Sequence, residues 1–316
     1  MRVAIAQTAP ILLDRAATLD RLCEWIAKAG GEGAQLVAFG EAFCPGYPVW
    51  LNRTGGARFD DPEQKHIHAI YVDQSVTIEA GHLADVQAAA RSLGITVVLG
   101  IVERPSDRGQ TLYCSRVIIG ATGEILSVHR KLMPTHEERL CWGVGDGAGL
   151  VTHPLGEFTL GSLNCWENWM PLARTALYAQ GEDLRVMIWP GGVVNTRDIT
   201  RFVAREARSY VVSAGALVRE QDIPQSVPMR DRIVSSGEVL HNGGGAIAGP
   251  DGEWIVEPVA NEERLIVDPT GHYSRPEILG LTVDRTRHGV RFVGDGPSDG
   301  SAGGPTDRPT DSQRAP

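Results

Sequence analysis

The chain has no paired-cysteine motif, no block of basic residues and no long apolar run, and each absence argues against a class of protein. Its 316 residues include five cysteines (Cys23, Cys44, Cys114, Cys141 and Cys165), an odd number without CxxC spacing. A disulfide framework is not expected, and free thiols point to a reducing, cytoplasmic compartment. Lys and Arg number 30 against 39 Asp and Glu, a formal charge of −9, with no Lys/Arg cluster. That balance argues against a nucleic-acid or anionic-membrane partner. The opening MRVAIAQTAP lacks the apolar core of a signal peptide, and no apolar run nears the roughly 20 residues that cross a bilayer. The Asn52-Arg53-Thr54 sequon therefore carries no weight. No GxSxG elbow occurs, which argues against the usual serine hydrolases. His66 with His68, and His129 with His136, lack further ligands at zinc spacing, so no metal is expected. Gly243, Gly245 and Ala248 fit a loose dinucleotide pattern but lead into a strand-like segment, so they read as a close backbone approach rather than a cofactor site.

What is present is ample core-forming material: 42% of residues are hydrophobic and 22% charged. Apolar periodicity predicts strands at RVAIAQTAP, QLVAFGEAF, ITVVLGIVER, EFTLGSLNC and VMIWPGG. It predicts helices over DRAATLDRLCEWIAKAGGEG, over Thr77 to Leu93, and from Cys165 to about Gln180. LYCSRVIIGATGEILSVHRK reads as a hairpin turning at Ala121-Thr122-Gly123, and 133–150 as a loop. ITRFVAREARSYVVSAG starts helical and ends β-like, and 243–268 reads as a strand pair around Pro250-Asp251-Gly252. The pattern is one α/β domain over residues 1–293, with two packed sheets and helices outside. The Gly-, Pro-, Ser- and Asp-rich stretch 294–316 is expected to be a disordered tail.

Three polar residues fall at predicted strand ends. Cys165 stands where a strand hands over to a helix, a turn that can hold a nucleophile with backbone N–H groups facing the reacting atom. Only the thiolate attacks, and a free thiol titrates at about 8.5, so a base and a cation are needed nearby. Glu41 closes QLVAFGE and Lys131 closes EILSVHRK. A carboxylate to take the thiol proton, a lysine to stabilise negative charge and a cysteine to attack form a complete acyl-transfer set. Taken singly, each also reads as an ordinary polar residue near a turn. Glu167 and Asn168 read as residues that fix the turn and cap the next helix. Trp166, Trp169, Trp142 and Tyr47 are candidate pocket walls, and Cys44 lies close to Glu41 in sequence.

GEAFCPGYP, HRKLMPTHEERLCWGVGDG and GSLNCWENWMPLAR together resemble the three motif blocks of the nitrilase branch of the carbon–nitrogen hydrolase superfamily. RVAIAQTAP, SGEVLHNGGGAIAGPDGEWIVEP and GHYSRPE extend the resemblance to about residue 293. It implies an αββα sandwich in which Glu41, Lys131 and Cys165 converge, with Glu138 as the second glutamate that orients the lysine and the substrate. It implies hydrolysis of an organic nitrile to the acid and ammonia through a cysteine thioimidate and thioester, with the Trp166 backbone N–H as oxyanion donor. No cofactor is implied, and the chain is expected to form a homo-oligomer, a dimer or higher, a spiral being one such form. An amidase on the same fold is the alternative chemistry, and a non-catalytic binding protein is a more distant one. Two departures from the family stand out: a shortened segment at 263–274, which bears on assembly, and Gly215 where many nitrilases have cysteine.

Overall fold

The computed structural model describes residues 1–234, 237, 239–269, 281–283 and 292–294. Strands β1 (Arg2–Gln7), β2 (Leu36–Ala38), β3 (Thr96–Glu103), β4 (Tyr113–Ile119) and β5 (Ile125–Arg130) form one sheet. A second contains β6 (His153–Leu155), β7 (Phe158–Asn164), β8 (Leu184–Trp189), β9 (Tyr210–Gly215), β10 (Leu217–Val218), β11 (His241–Ala248) and β12 (Trp254–Ala260). Strand β13 (Arg264–Pro269) returns to the first sheet, antiparallel to β1. Each sheet has a parallel centre (β1-β2-β3 and β7-β8-β9) extended by antiparallel strands.

The alternation of side chains along the strands builds the layers. Val3 and Ile5 of β1 face the second sheet, packing with Val98, Leu184, Val186, Ile188 and Val212. Ala4 and Ala6, one residue out of phase, face the helices α1 (Arg15–Gly31) and, beyond the short α2 (Trp50–Arg53) and α3 (Pro62–Gln74), α4 (Ala84–Leu93). On the far side, α5 (Pro171–Tyr178) and α6 (Val193–Ala207) cover the second sheet, α6 placing Ile199, Val203 and Ala207 against Met187, Trp189 and Val211. A last short helix, α7 (Arg230–Ile233), precedes β11. The expected αββα sandwich is the observed architecture. Each fully buried Val, Leu or Ile at the sheet–sheet interface contributes about 1.5–3 kcal/mol of burial.

Several boundaries differ from expectation. Only Ala84–Leu93 of the 77–93 stretch is helical, because Val76 pairs its N–H with Val102 O and the chain then turns through Gly81 at φ +77°. Helix α3 was not expected; its signal was Asp61-Pro62-Glu63, where the Asp61 carboxylate caps the Glu63 and Gln64 N–H groups. The 243–268 stretch is a hairpin plus a third strand, β13, that crosses to the other sheet. The fingerprint residues Gly243, Gly245 and Ala248 lie within β11, where the Gly245 N–H donates to Gln7 Oε1 at 2.8 Å. The anticipated tail beyond Gly294 and the 270–274 part of the shortened segment lie outside the described residues.

Candidate active site

Each of the three predicted reacting residues stands just beyond a strand. Cys165 and Lys131 directly follow β7 and β5, but Glu41 is three residues past β2. The expected strand 35–43 is only Leu36–Ala38 because the chain then changes sheets: the Phe39 N–H bonds Val98 O and the Glu41 N–H bonds Trp189 O, each at 2.9 Å. Gly100 of β3 lies directly beneath this crossing, and a Cβ there would come within 2.7 Å of Glu41 Cα. The backbone of Lys131 is fixed by its N–H bond to Cys114 O at 2.8 Å and by the Gly145 N–H on its carbonyl at 2.9 Å. A Cβ on Gly145 would stand 2.8 Å from that same Lys131 carbonyl. Cys165 opens a 3-10 turn, Cys165–Trp169, rather than the expected helix, and holds φ at +38°, a conformation uncommon for a side-chain-bearing residue.

The three side chains converge in the buried interior. Lys131 Nζ lies 3.0 Å from Glu41 Oε1 and 2.7 Å from Glu138 Oε2. One carboxylate oxygen each of Glu41 and Glu138 and Cys165 Sγ lie within 4.8 Å of one another. Two carboxylates and a thiol could serve as a metal donor set, but here the Lys131 ammonium already sits between the carboxylates and supplies the positive charge. Burial pushes the Glu41 carboxyl up to about 7, against the pull of Lys131 and with reinforcement from Glu138. Burial and the Glu41 charge raise the Cys165 thiol, while Lys131 and the backbone N–H of Trp166 draw it down; the net direction is well above the ordinary thiol value. Burial works against the charge on Lys131, but the facing Glu41 carboxylate and the Cys165 sulfur outweigh it and hold the ammonium protonated. The resting site thus pairs a protonated thiol with a carboxylate that titrates near neutrality.

Glu138 sits in the 3-10 turn His136–Leu140 within the expected loop 133–150. Its Oε2 accepts from Lys131 Nζ and, at 2.6 Å, from the Thr135 N–H, and its Oε1 accepts from Tyr47 Oη at 2.8 Å. Tyr47 packs edge-on against Trp142, with ring centroids 5.7 Å apart, and Lys131 Nζ lies 5.8 Å from the Trp142 ring centre. Tyr47 and Trp142, both pocket candidates from the sequence, are therefore in the cluster. Trp166 is placed differently: its side chain is 51% exposed and lies beside Trp169, so its contribution to the site is its backbone N–H. Cys44 turns away, its Sγ 4.0 Å from Arg15 O on the helix side of the first sheet.

Glu167 is fully buried beneath the turn and does more than cap it. Its Oε1 accepts from the Leu132 N–H at 2.6 Å and its Oε2 from the Asn164 N–H at 2.9 Å, while His129 Nε2 lies 3.0 and 3.1 Å from the two oxygens. One carboxylate thereby ties the residue after Lys131 to the residue before Cys165. Burial would raise its pKa, but His129 and these hydrogen bonds reverse the direction and lower it. Asn168 fixes the same turn through Nδ2 to Cys165 O at 2.9 Å, and Arg174 of α5 donates to Asn168 O at 3.1 Å. The sequence signal for Glu167 was its capping-box spacing from Asn164. His129, set aside as a metal ligand, was missed as its partner, and Cys114, read as core, rests with its thiol against Glu41 and favours the charged carboxylate.

Comparison with known proteins follows the same lines. The carbon–nitrogen hydrolase family model matches residues 2–269. An aliphatic nitrilase from Rhodococcus rhodochrous is 33% identical, covering 91% of this chain and 83% of its own length. An arylacetonitrilase from Aspergillus kawachii is 33% identical over 90% of this chain and 92% of its own. A nitrilase from Pseudomonas syringae pv. syringae is 34% identical over 89% of each. Among solved structures, the amidase from Nesterenkonia sp. AN1 superimposes with a TM-score of 0.65 at 19% identity, over 86% of this chain and 93% of its own, a likeness of fold. The extent of the family match and the identity to curated nitrilases lead to one conclusion: the chain belongs to the carbon–nitrogen hydrolase family, on its nitrilase branch.

Proposed function

We propose that the protein is a nitrilase that converts an organic nitrile and two waters into a carboxylic acid and ammonia. The observation that carries this reading is the buried Lys131 ammonium bridging Glu41 and Glu138, with Cys165 Sγ close to both carboxylates. In the proposed sequence, Glu41 takes the thiol proton as Cys165 sulfur attacks the nitrile carbon, and the nitrogen is protonated to give a thioimidate. Water, deprotonated by Glu41, adds to that carbon; the carbon–nitrogen bond breaks and ammonia leaves a thioester. A second water, activated the same way, breaks the carbon–sulfur bond and frees the acid and the thiol. Lys131 and the Trp166 N–H stabilise the charge on each tetrahedral species, and Glu138 keeps the ammonium in place. Nothing in the sequence requires a cofactor.

The reading extends to assembly and compartment. Exposed Trp166, Trp169, Leu172 and Phe202 on neighbouring elements support a homo-oligomer, since large exposed apolar groups mark interaction surfaces. Five free cysteines support a reducing, cytoplasmic setting. Among the described residues no helix is long and apolar enough to cross a membrane. Ammonia release from a panel of nitriles and their amides, with Cys165→Ala alongside, tests the function. Nitrile turnover that vanishes in the variant is expected; turnover of amides alone, or full activity in the variant, overturns the reading.

A further inference from the structure

Besides the cluster around Lys131, Glu41 borders a second space, a small cavity with Leu12, Phe43, Val218 and Ile223 among its apolar sides. The room in it for the centre of a water-sized sphere is about 10 Å³. That matches one water and excludes an organic substrate, since a cavity that takes up benzene measures about 150 Å³. Tyr47 and His241, at the start of β11, complete the polar part of the wall. Of Glu41, Lys131, Glu138 and Cys165, only Glu41 lies in it, so that one carboxyl group adjoins both the cavity and the thiol.

A buried water needs two to four polar partners, and cavities without them stay dry. This cavity offers two groups with capacity to spare. The His241 ring packs edge-on against Tyr47, with centroids 5.3 Å apart, and its Nδ1 is buried without a hydrogen-bond partner among the described residues. Lys131 Nζ stands 3.0 Å from Glu41 Oε1 and the Cys114 thiol rests against the carboxyl group, yet neither Glu41 oxygen receives a well-directed hydrogen bond among the described residues. Tyr47 Oη is already given to Glu138. An unmet buried polar atom costs about 1–3 kcal/mol, which a water between the two groups offsets. Water both donates and accepts, so it meets Nδ1 in either tautomer. Burial, aided by the Arg53 charge, pushes the imidazole down to about 4, so the ring is neutral at neutral pH and does not compete with Lys131 for the Glu41 charge.

We propose that, granted the cysteine chemistry above, this cavity seats a single water between Glu41 and His241 that supplies the hydrolytic steps, with His241 as its positioning residue. On the thioester, the water oxygen adds to the carbonyl carbon as one proton passes to Glu41; the carbon–sulfur bond then breaks and that proton goes to the leaving sulfur. On the thioimidate, both water protons end on the departing ammonia. Bond formation between Cys165 and the substrate consumes no water, so loss of the seat should stall the enzyme after that bond has formed.

The experiment follows butyronitrile and phenylacetonitrile turnover in the wild type, His241→Phe and His241→Asn, with acid-quenched samples weighed as intact protein to read the fraction of chain carrying a covalent adduct. His241→Phe keeps a ring against Tyr47 but offers the water nothing; kcat should fall about tenfold or more while the adduct fraction during turnover rises. Added hydroxylamine, a nucleophile that does not need the seat, should restore turnover, and His241→Asn should recover part of the rate. Only folded, reactive protein acquires the adduct, so a misfolded variant cannot imitate this result. A wild-type rate in His241→Phe, or a lowered rate with no added adduct and no rescue by hydroxylamine, overturns the proposal. If both nitriles are inert but butyramide is hydrolysed, the nitrile reading fails, and the adduct fraction on butyramide still decides the role of His241. Silence on all three removes the hydrolytic chemistry and the role of the water with it.

Discussion

Glu167→Gln keeps the side chain's size and removes its charge at the point where the Lys131 and Cys165 strands are tied together. The carboxylate accepts the Leu132 N–H through one oxygen and the Asn164 N–H through the other, with His129 against both. An amide has one oxygen, so in either orientation its NH₂ group faces one of these N–H donors. The loss combines a charge-assisted hydrogen bond with a buried donor left unmet, and breaking such a buried pair costs about 3–5 kcal/mol. With a melting entropy of about 2.1 cal/mol/K per residue, that is a fall in Tm of roughly 5–8 °C for a chain of this length. Catalysis should suffer more than stability suggests, because a shift of about 1 Å between reacting groups costs about a hundredfold in rate. Scanning calorimetry reads the first effect and ammonia release the second, with kcat falling and KM little changed. The lowered Glu167 pKa adds a sign: its contribution is present above the unfolded value of about 4.3 and is lost as pH falls through the folded one, so below about 4.3 the stability of the variant should fall less steeply with pH than that of the wild type. A Glu167→Gln protein with wild-type kcat and a Tm within about 1 °C of wild type would refute the clamp.

The Glu41 carboxyl, raised by burial to about 7, must be charged to accept the thiol proton, so kcat/KM should rise with pH through a midpoint near that value. The same shift acts oppositely on folding: its stabilising contribution is complete below the unfolded value and is lost as pH rises through about 7, which thermal melts across that window can follow. A flat rate profile would remove Glu41 as the base. Cys114→Val takes away a thiol that favours the charged form of Glu41, so the midpoint should move up in pH; an unmoved midpoint would make Cys114 a packing residue only. Tyr47→Phe deletes the 2.8 Å bond to Glu138 while leaving the ring contacts with Trp142 and His241. It should cost about 1–2 kcal/mol in urea titration and about tenfold in kcat; an unaltered kcat would show that Lys131 and Thr135 suffice to hold Glu138.

The proposed reacting groups could be picked out in the sequence because each lies at or near the end of an apolar run. Glu41, Lys131 and Cys165 could be placed at strand exits before any contact was known. Their partners could not, because those contacts depend on register between distant strands. His129 is the one buried residue of β5, and only the approach of the turn after β7 gives it Glu167, 38 positions away. Cys114 reads as a small core residue until β4 lays it beside the crossing that carries Glu41. Short elements failed for a related reason: β2 yields to a sheet-to-sheet crossing that a local pattern of apolar residues cannot distinguish from more strand.

Gly100 and Gly145 lie against the backbone of Glu41 and of Lys131, at separations where any added carbon must displace the chain. The spacing of the acid and the ammonium is therefore set by two residues that have no functional group. In a saturation-mutagenesis library scored on turnover, both positions should be as intolerant as the residues that touch the reacting atoms. A map of intolerant positions would consequently outline a footprint broader than the chemistry, and effort to retune the rate would find its least forgiving sites where there is no side chain to exchange.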